Sequence, residues 1–551
     1  MPENRNHPYL PKLKRQLAEG RCSRREFLRT ATLLGVSAGS AYAFANKVAG
    51  LPFARPARAA MPRGGTLRIA MAVQELTTPH TYQWSQYNIT RQVCQFLTRT
   101  GHDNITRPML TAGWKVSDDL RTWAFDLRPD VKWHNGRAFS ADDVIWNLKH
   151  LLDPNTGSSA VGLMKSYLLN EIEKDGKKST ELWDANAIEK LGDHSFRLNL
   201  KTAQLAIPEH LFHYTNHMLD PEEGGKFGVG SNGTGPFELT EAVVGEKAVL
   251  KARKDYWGEG PYLDELHFID LGEDPSTGIA ALQSRQVDGL YQTDISQLDV
   301  LGKLPHVKVY DATTAATAVA RMKVDQKPFD DRRVRMAMKL AIDPERVLQI
   351  AHRGKGLAGE HHHVCPIHPE YAELPRMARD VAKAKQLLAE AGYPDGIDTE
   401  INCRNSPSWE LEAVQTMVEQ WKEANIRVKI NNMPSSAFWD IWNKVPFGFT
   451  EWSHRPLGTM VLSLAYRSGV PWNESGYANP EFDALLTEAE GLADVEARRE
   501  VMAKLERILQ EDGPVVQPLW RARFAAYDVR VQGFQMHPTN YIFAEQLAVD
   551  S

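Results

Sequence analysis

Apolar and polar residues alternate with period two in Phe196-Arg197-Leu198-Asn199-Leu200 and again in Ile426-Arg427-Val428-Lys429-Ile430, which predicts strands with one buried face. Residues 64–73 predict a further strand after a glycine hinge. Helical spacing appears elsewhere. From Ser140, with Asp143 completing a capping-box-like pair, Val144, Leu148, Leu151 and Leu152 form one apolar face that ends at Asp153-Pro154. From Asp380, residues Val381, Ala384, Leu387, Leu388 and Ala391 repeat the pattern, with Gly392 as the stop. Leu411, Val414, Val418 and Trp421 precede a stop at Asn425 and the strand at 426, an α/β order. A late helix carries Val501, Leu505, Ile508 and Leu509 and ends at Gly513-Pro514. No internal repeat or low-complexity linker interrupts this series, so the chain reads as interleaved α/β lobes.

The 551 residues, 42% hydrophobic and 25% charged, are ordinary for a globular protein and suffice for several domains. No uninterrupted apolar run reaches the roughly 18 residues of a membrane span. The net charge of −5 is unevenly placed. Residues 1–60 hold 11 Lys/Arg against 3 Asp/Glu, and the remainder holds 54 against 67. A body this acidic argues against general nucleic-acid binding. The basic start, Ser23-Arg24-Arg25-Glu26-Phe27-Leu28-Arg29 followed by the small and apolar stretch Thr30 to Ala45, resembles a twin-arginine export signal. The alternative is an amphipathic N-terminal helix with a chance arginine pair. Residues 1–59 are read as the targeting segment, with cleavage after Ala45 or, preferably, Ala59. Cys22 precedes the arginine pair, so no lipobox follows the apolar stretch. Cys94, Cys365 and Cys403 do not have zinc-ribbon spacing and are read as unpaired.

Four segments carry a family resemblance. The first runs from Trp114-Lys115-Val116-Ser117-Asp118-Asp119 through Phe125-Asp126-Leu127-Arg128-Pro129-Asp130-Val131-Lys132-Trp133-His134-Asn135-Gly136 to Phe139-Ser140-Ala141-Asp142-Asp143-Val144. The second is Gly233-Thr234-Gly235-Pro236-Phe237 with Tyr256-Trp257. The third runs from Phe329-Asp330-Asp331-Arg332-Arg333-Val334 to Ala341-Ile342-Asp343. The fourth runs from Ala384-Lys385 to Ala391-Gly392-Tyr393. Together they resemble the peptide/nickel-type solute-binding proteins of ABC importers, across the whole chain beyond the targeting segment. The resemblance implies an α/β fold of the two-lobed periplasmic-binding-protein type, with a hinge and an extra subdomain inserted in the first lobe. It places lobe I at 60–98, the insert at 99–192, lobe I again at 193–312, lobe II at 313–514 and a return to lobe I at 515–551. The crossings fall near 310–315 and 513–518. It further implies a periplasmic, monomeric receptor that closes on a small-molecule ligand and docks on an ABC transporter transmembrane permease.

No nucleophile–base pair is legible, so no enzyme, cofactor or bound metal is expected. Gly228-Val229-Gly230-Ser231-Asn232-Gly233 fits G-x-G-x-x-G, but Pro236-Phe237 follows instead of a helix, so a turn into a strand is expected. His361-His362-His363-Val364-Cys365-Pro366-Ile367-His368 offers donors suited to Ni, Cu or Zn. Adjacent histidines of an extended loop point in alternate directions, however, so a solvated loop is the leading reading, with metal-free ligand contact by one histidine, His363 being the candidate, and metal contact as the alternatives. All 14 Trp lie beyond residue 60; Trp84 and Trp452 are the ones expected to face the cleft. The resemblance implies that Arg404 holds a ligand carboxylate. Peptide-binding relatives put an aspartate three residues after the tryptophan of Trp452-Ser453-His454-Arg455-Pro456, where it pairs with the ligand's α-ammonium. Arg455 stands there and would repel that group, unless Glu451 swings in or Asp440 substitutes for the aspartate. Arg404, Arg455, His454, Trp452, Trp84 and His363 are therefore the candidate ligand contacts. The ligand reads as anionic or opine-like and not as a peptide with a free N-terminus; Arg455 simply paired with Glu451 is the structural alternative. A true peptide or nickel-chelate carrier is the rival within binding proteins, and an exported metal-dependent hydrolase the rival outside them.

Overall fold

The computed structural model describes residues 7–50, 61–82, 85–174 and 176–550. One mixed sheet of eleven strands runs through both lobes. Its centre is formed by two long antiparallel strands, Val307–Met322 and Val515–Asp528, which carry the chain from one lobe to the other and back. On one side lie Gly289–Thr293, Thr66–Ala70, Glu265–Ile269, Lys247–Ala252 and Phe237–Val243. On the other lie Phe447–Trp452, Ile397–Arg404 and Ile426–Met433, and the eleventh strand, Gly356–Ala358, pairs with Val515–Asp528 off this path. The central ladder is interrupted: pairing runs from Val307↔Asp528 to Thr313↔Ala522 and resumes at Thr317↔Trp520. Extra residues in one strand bend it and leave backbone groups unpaired. Two side chains take them up. Thr314 Oγ1 donates to Arg521 O (2.7 Å), and His454 Nδ1 accepts from Ala315 N (3.1 Å).

The expected local elements form for the expected reasons. Ser140 and Asp143 cap the helix Ala141–Leu152, whose Val144, Leu148, Leu151 and Leu152 are buried. Asp380 caps Val381–Glu390 by accepting from Lys383 N (2.8 Å). The first of these helices packs with a separate antiparallel sheet, Thr111–Val116, Thr122–Leu127, Ser195–Asn199 and Ile188–Gly192, around Trp123, Phe125, Trp133 and Phe196. The glycine-rich run is a turn into the strand Phe237–Val243. There Gly233 approaches the Val93 carbonyl so closely that a Cβ would lie 2.1 Å from its oxygen.

Residues 7–50 form three helices, Leu10–Ala18, Arg24–Leu33 and Ala38–Val48, packed on the body. Arg29 forks onto Glu209 at 2.6 and 2.8 Å, both side chains being buried, and Trp114 Nε1 donates to Leu33 O (3.0 Å). Arg499 reaches Glu26 at 3.0 Å. Among the described residues no helix is long and apolar enough to cross a membrane, and all four cysteines are free and buried.

Candidate functional site

A cavity of about 690 Å³ opens where the two halves of the sheet meet. That volume suits a solute of drug-like size. One wall is the 270–278 and 290–297 segments, the other the 404–409 and 435–440 segments, with Glu451, Arg521 and Phe524 of the central strands between them. Arg404 is the last residue of Ile397–Arg404, so it lies at a carboxyl end of the sheet, where ligands of open α/β sheets bind. Glu410, in the first turn of the following helix Ser408–Glu423, accepts from Arg404 Nε at 3.0 Å and also from its terminal nitrogen.

Glu451 is the hub of the floor. It accepts from Arg404 (2.8 Å), Arg523 (2.9 Å) and Arg521. Burial alone would raise its carboxyl; three guanidiniums reverse this and hold it far below the usual carboxylate range. Glu410, with Arg404 as its main cationic neighbour, is pushed up by burial. The guanidiniums are held flat: Arg404 lies over Trp439 at 5.2 Å and Arg521 over Trp409 at 4.9 Å. Three cations against two carboxylates leave the floor positive by one charge with both acids ionised. Several buried polar atoms of the wall have no hydrogen-bond partner: Arg521 Nε, Trp409 Nε1, Thr293 Oγ1 and Ser85 Oγ. The rim is acidic, with Asp270, Glu273, Asp274 and Asp294 on the opposite wall and Asp440 on the wall that carries Arg404. Asp274 and Asp294 are already engaged as helix caps.

A second, small cavity of about 50 Å³ shares Trp439 and Glu451 with the first and is walled by Trp442, Trp452, Trp472 and Arg455. Of the residues singled out in the sequence, Arg404 is in the main cleft and Arg455 and Trp452 are in the small cavity. Trp84 lies outside the described residues. His454 and His363 line neither cavity. His454 is spent on the strand interruption, and His363 packs between the rings of Trp452 (5.6 Å) and Tyr466 (5.3 Å). Arg455 does not pair with Glu451; its Nη1 donates to Ser453 O (3.2 Å) and His454 O (3.1 Å). Sequence reasoning missed Arg521, Arg523, Trp409 and Trp439.

The histidine run is not the solvated loop expected. It tucks under Val515–Asp528, where Gly359 N donates to Pro518 O (2.8 Å) and Glu360 N to Gln517 Oε1 (2.8 Å), so His361, His362 and His363 are all buried. Burial lowers all three, and holds His361 and His363 neutral with values of about 3. Among the described residues no three His, Cys, Asp or Glu side chains are disposed to hold a metal. His362 Nε2 lies 3.3 Å from Glu360 and 3.9 Å from the buried Glu506. Burial, with Glu360 and Glu370 nearby, pushes the Glu506 carboxyl up to about 9 from 4.5. A carboxyl raised in this way favours the fold below its unfolded value and loses that contribution as pH rises through the folded one. Glu506→Gln is therefore expected to stabilise the protein by roughly 2 kcal/mol near pH 8 and to be neutral near pH 4. Urea unfolding showing the same difference at both pH values would contradict this.

A family model described as bacterial extracellular solute-binding proteins, family 5 Middle, matches residues 106–473. The chain belongs to this family. Family 5 members are extracytoplasmic solute-binding receptors of ABC importers and not enzymes, which removes the hydrolase reading. This family 5 receptor is 25% identical over 509 residues to heme-binding protein A of Haemophilus influenzae, covering 85% of this chain and 88% of that protein. It is 25% identical over 482 residues to the dipeptide-binding protein DppE of Bacillus subtilis, covering 83% and 86%. Its fold matches AgaA from A. tumefaciens R10 in complex with agropinic acid, with a TM-score of 0.78, 21% identity and coverage of 88% and 99%. These likenesses give the receptor class and the two-lobed fold.

Proposed function

We propose that this receptor captures a small anionic solute, opine-like in its chemistry rather than a peptide with a free N-terminus, and delivers it to its importer permease. The observation that carries this reading is the surplus of guanidinium over carboxylate at the cleft floor, with Arg521 Nε unpartnered beside the cavity. A carboxylate accepting from Arg521 would satisfy that donor and neutralise the surplus charge. The acidic rim orients such a ligand with its anionic end down. The named ligands of the relatives, heme, dipeptides and agropinic acid, show how widely family members differ. An N-acetyl amino acid presents a carboxylate without an ammonium, and an amino-acid amide the reverse. The acetylated series is expected to raise the melting temperature of the purified receptor and the amides to leave it unchanged. Stabilisation by the amides alone overturns the reading.

The monomeric state and hinge closure belong to the same proposal. The central strands are bent where their ladder breaks, at 313–317. Solution scattering is expected to give a monomer whose radius of gyration falls on ligand saturation; an unchanged radius contradicts closure. Export through the twin-arginine route, with residues 1–59 as its signal, is also proposed, on the Arg24-Arg25 and Phe27-Leu28 spacing.

A further inference from the structure

Arg455 is 4% exposed, and among the described residues it makes no ion pair with a carboxylate. Its guanidinium lies over the Tyr214 ring at 5.3 Å, its Nε has no hydrogen-bond partner, and its Nη1 is tied to two backbone carbonyls. Arg321, Arg467 and Arg29, also buried, are paired with Glu474, Glu490 and Glu209, whereas Arg91 and Arg498 share with Arg455 the lack of an ion pair among the described residues, and of these three only Arg455 lines either cavity. A buried guanidinium facing no anion is costly unless a partner arrives. Glu451, the one carboxylate on this cavity among the described residues, is already shared by Arg404, Arg521 and Arg523.

The cavity beside Arg455 is small and rigid. Its tryptophans lock edge to face, Trp439 on Trp442 at 5.8 Å, Trp442 on Trp472 at 6.4 Å and Trp452 on Trp472 at 6.0 Å. Trp452 Nε1 is fixed by Glu474 at 2.9 Å. About 50 Å³ admits a group of a few heavy atoms, since one water needs roughly 10–15 Å³ on this measure. A carboxylate is of this size, and an indole is larger. Trp439 and Glu451 line both cavities, which places the box directly beside the Arg521 floor.

We propose that this box is a second anchoring subsite, in which Arg455 takes a second carboxylate-sized anionic group, so that the solute is a compact dianion with its two acidic groups on either side of Trp439. The proposal rests on the anionic reading of the cleft floor. The charges agree: a surplus of one at the floor and one at Arg455 match a dianion. The group in the box would be enclosed by Tyr214 on one side and by the tryptophans on the other.

The test is calorimetric, on the purified full-length receptor. N-acetyl-leucine supplies one carboxylate; N-malonyl-, N-succinyl- and N-glutaryl-leucine add a second at increasing reach. One of the three is expected to bind at least about tenfold tighter than N-acetyl-leucine. Arg455→Met is expected to erase that gain, read as the ratio of each diacid's affinity to that of N-acetyl-leucine on the same variant. Arg455→Lys, which keeps the charge should the methionine variant unfold, is expected to retain part of the gain. A gain that survives Arg455→Met, or no gain for any of the three while N-acetyl-leucine binds, overturns the second subsite alone. Failure of all four compounds to bind overturns the anionic floor and the subsite with it.

Discussion

Glu451→Gln is expected to lower the unfolding free energy by about 3–5 kcal/mol, the range for removing one partner from a buried ion cluster. Arg404, Arg521 and Arg523 all converge on this carboxylate, each no more than 3% exposed. A glutamine keeps the shape but brings an NH2 donor toward three guanidiniums and removes the charge that holds them together. Arg404 keeps Glu410, whereas Arg521 keeps no carboxylate and Arg523 only Ser453 Oγ at 3.2 Å. The loss should depend on pH. Glu451 is held far below its ordinary value of 4.5, so its contribution is present above that value and fades as pH falls through the acid range. Urea unfolding of the two proteins should therefore diverge near neutrality and converge in acid. A second consequence separates this cluster from an inert structural one. With Glu451 neutral the floor gains a further positive charge, so an anionic solute should stabilise the glutamine variant more than the wild type. A difference below about 1 kcal/mol at neutral pH, or equal stabilisation of both by N-acetyl amino acids, would contradict the hub role.

What the sequence made legible follows from the range of the interactions concerned. The helix Ala141–Leu152 was readable because its start depends on Ser140 and Asp143, three residues apart, and its face on spacings of three and four. The long block from Trp114 to Val144 identified the family because it packs as one unit around Trp123, Trp133 and Phe139. Arg404 could be placed because the strand–turn–helix around it is local. Arg521 and Arg523 could not. Two arginines alternating along a strand read as an exposed edge, and only the pairing of Val307–Met322 with both Val515–Asp528 and Phe447–Trp452 brings them under Glu451. His363 and His454 misled for the same reason. Their polarity suggested a cleft, but one is packed between aromatic rings and the other fills the gap left by the broken ladder at Ala315. Long-range pairing decided these positions, and no window of sequence contains it.

Changing Arg24 and Arg25 together to lysine is expected to leave uncleaved protein in the cytoplasm. Export is thereby separated from the structural part that the same segment plays. Ser23 caps the helix Arg24–Leu33 by accepting from Glu26 N (3.2 Å), and Arg25 stays exposed at its start while Phe27 and Leu28 are buried on the body. The segment is held down most strongly by the buried fork of Arg29 on Glu209. A pair of lysines preserves both charge and helix propensity and gives up only the contacts of Arg24 with Asn46 Oδ1 and the Tyr42 ring, so it should lower the melting temperature of the precursor only slightly. Arg29→Met should do the opposite. It strands Glu209 without a cation and should lower precursor stability by about 3 kcal/mol, yet it leaves Arg24 and Arg25 in place for export. Fractionation of cells carrying each variant, with melting temperatures of the purified precursors, distinguishes the two roles. Normal accumulation of the double lysine variant outside the cytoplasm would show that the arginine pair is incidental and that residues 7–50 are simply part of the fold.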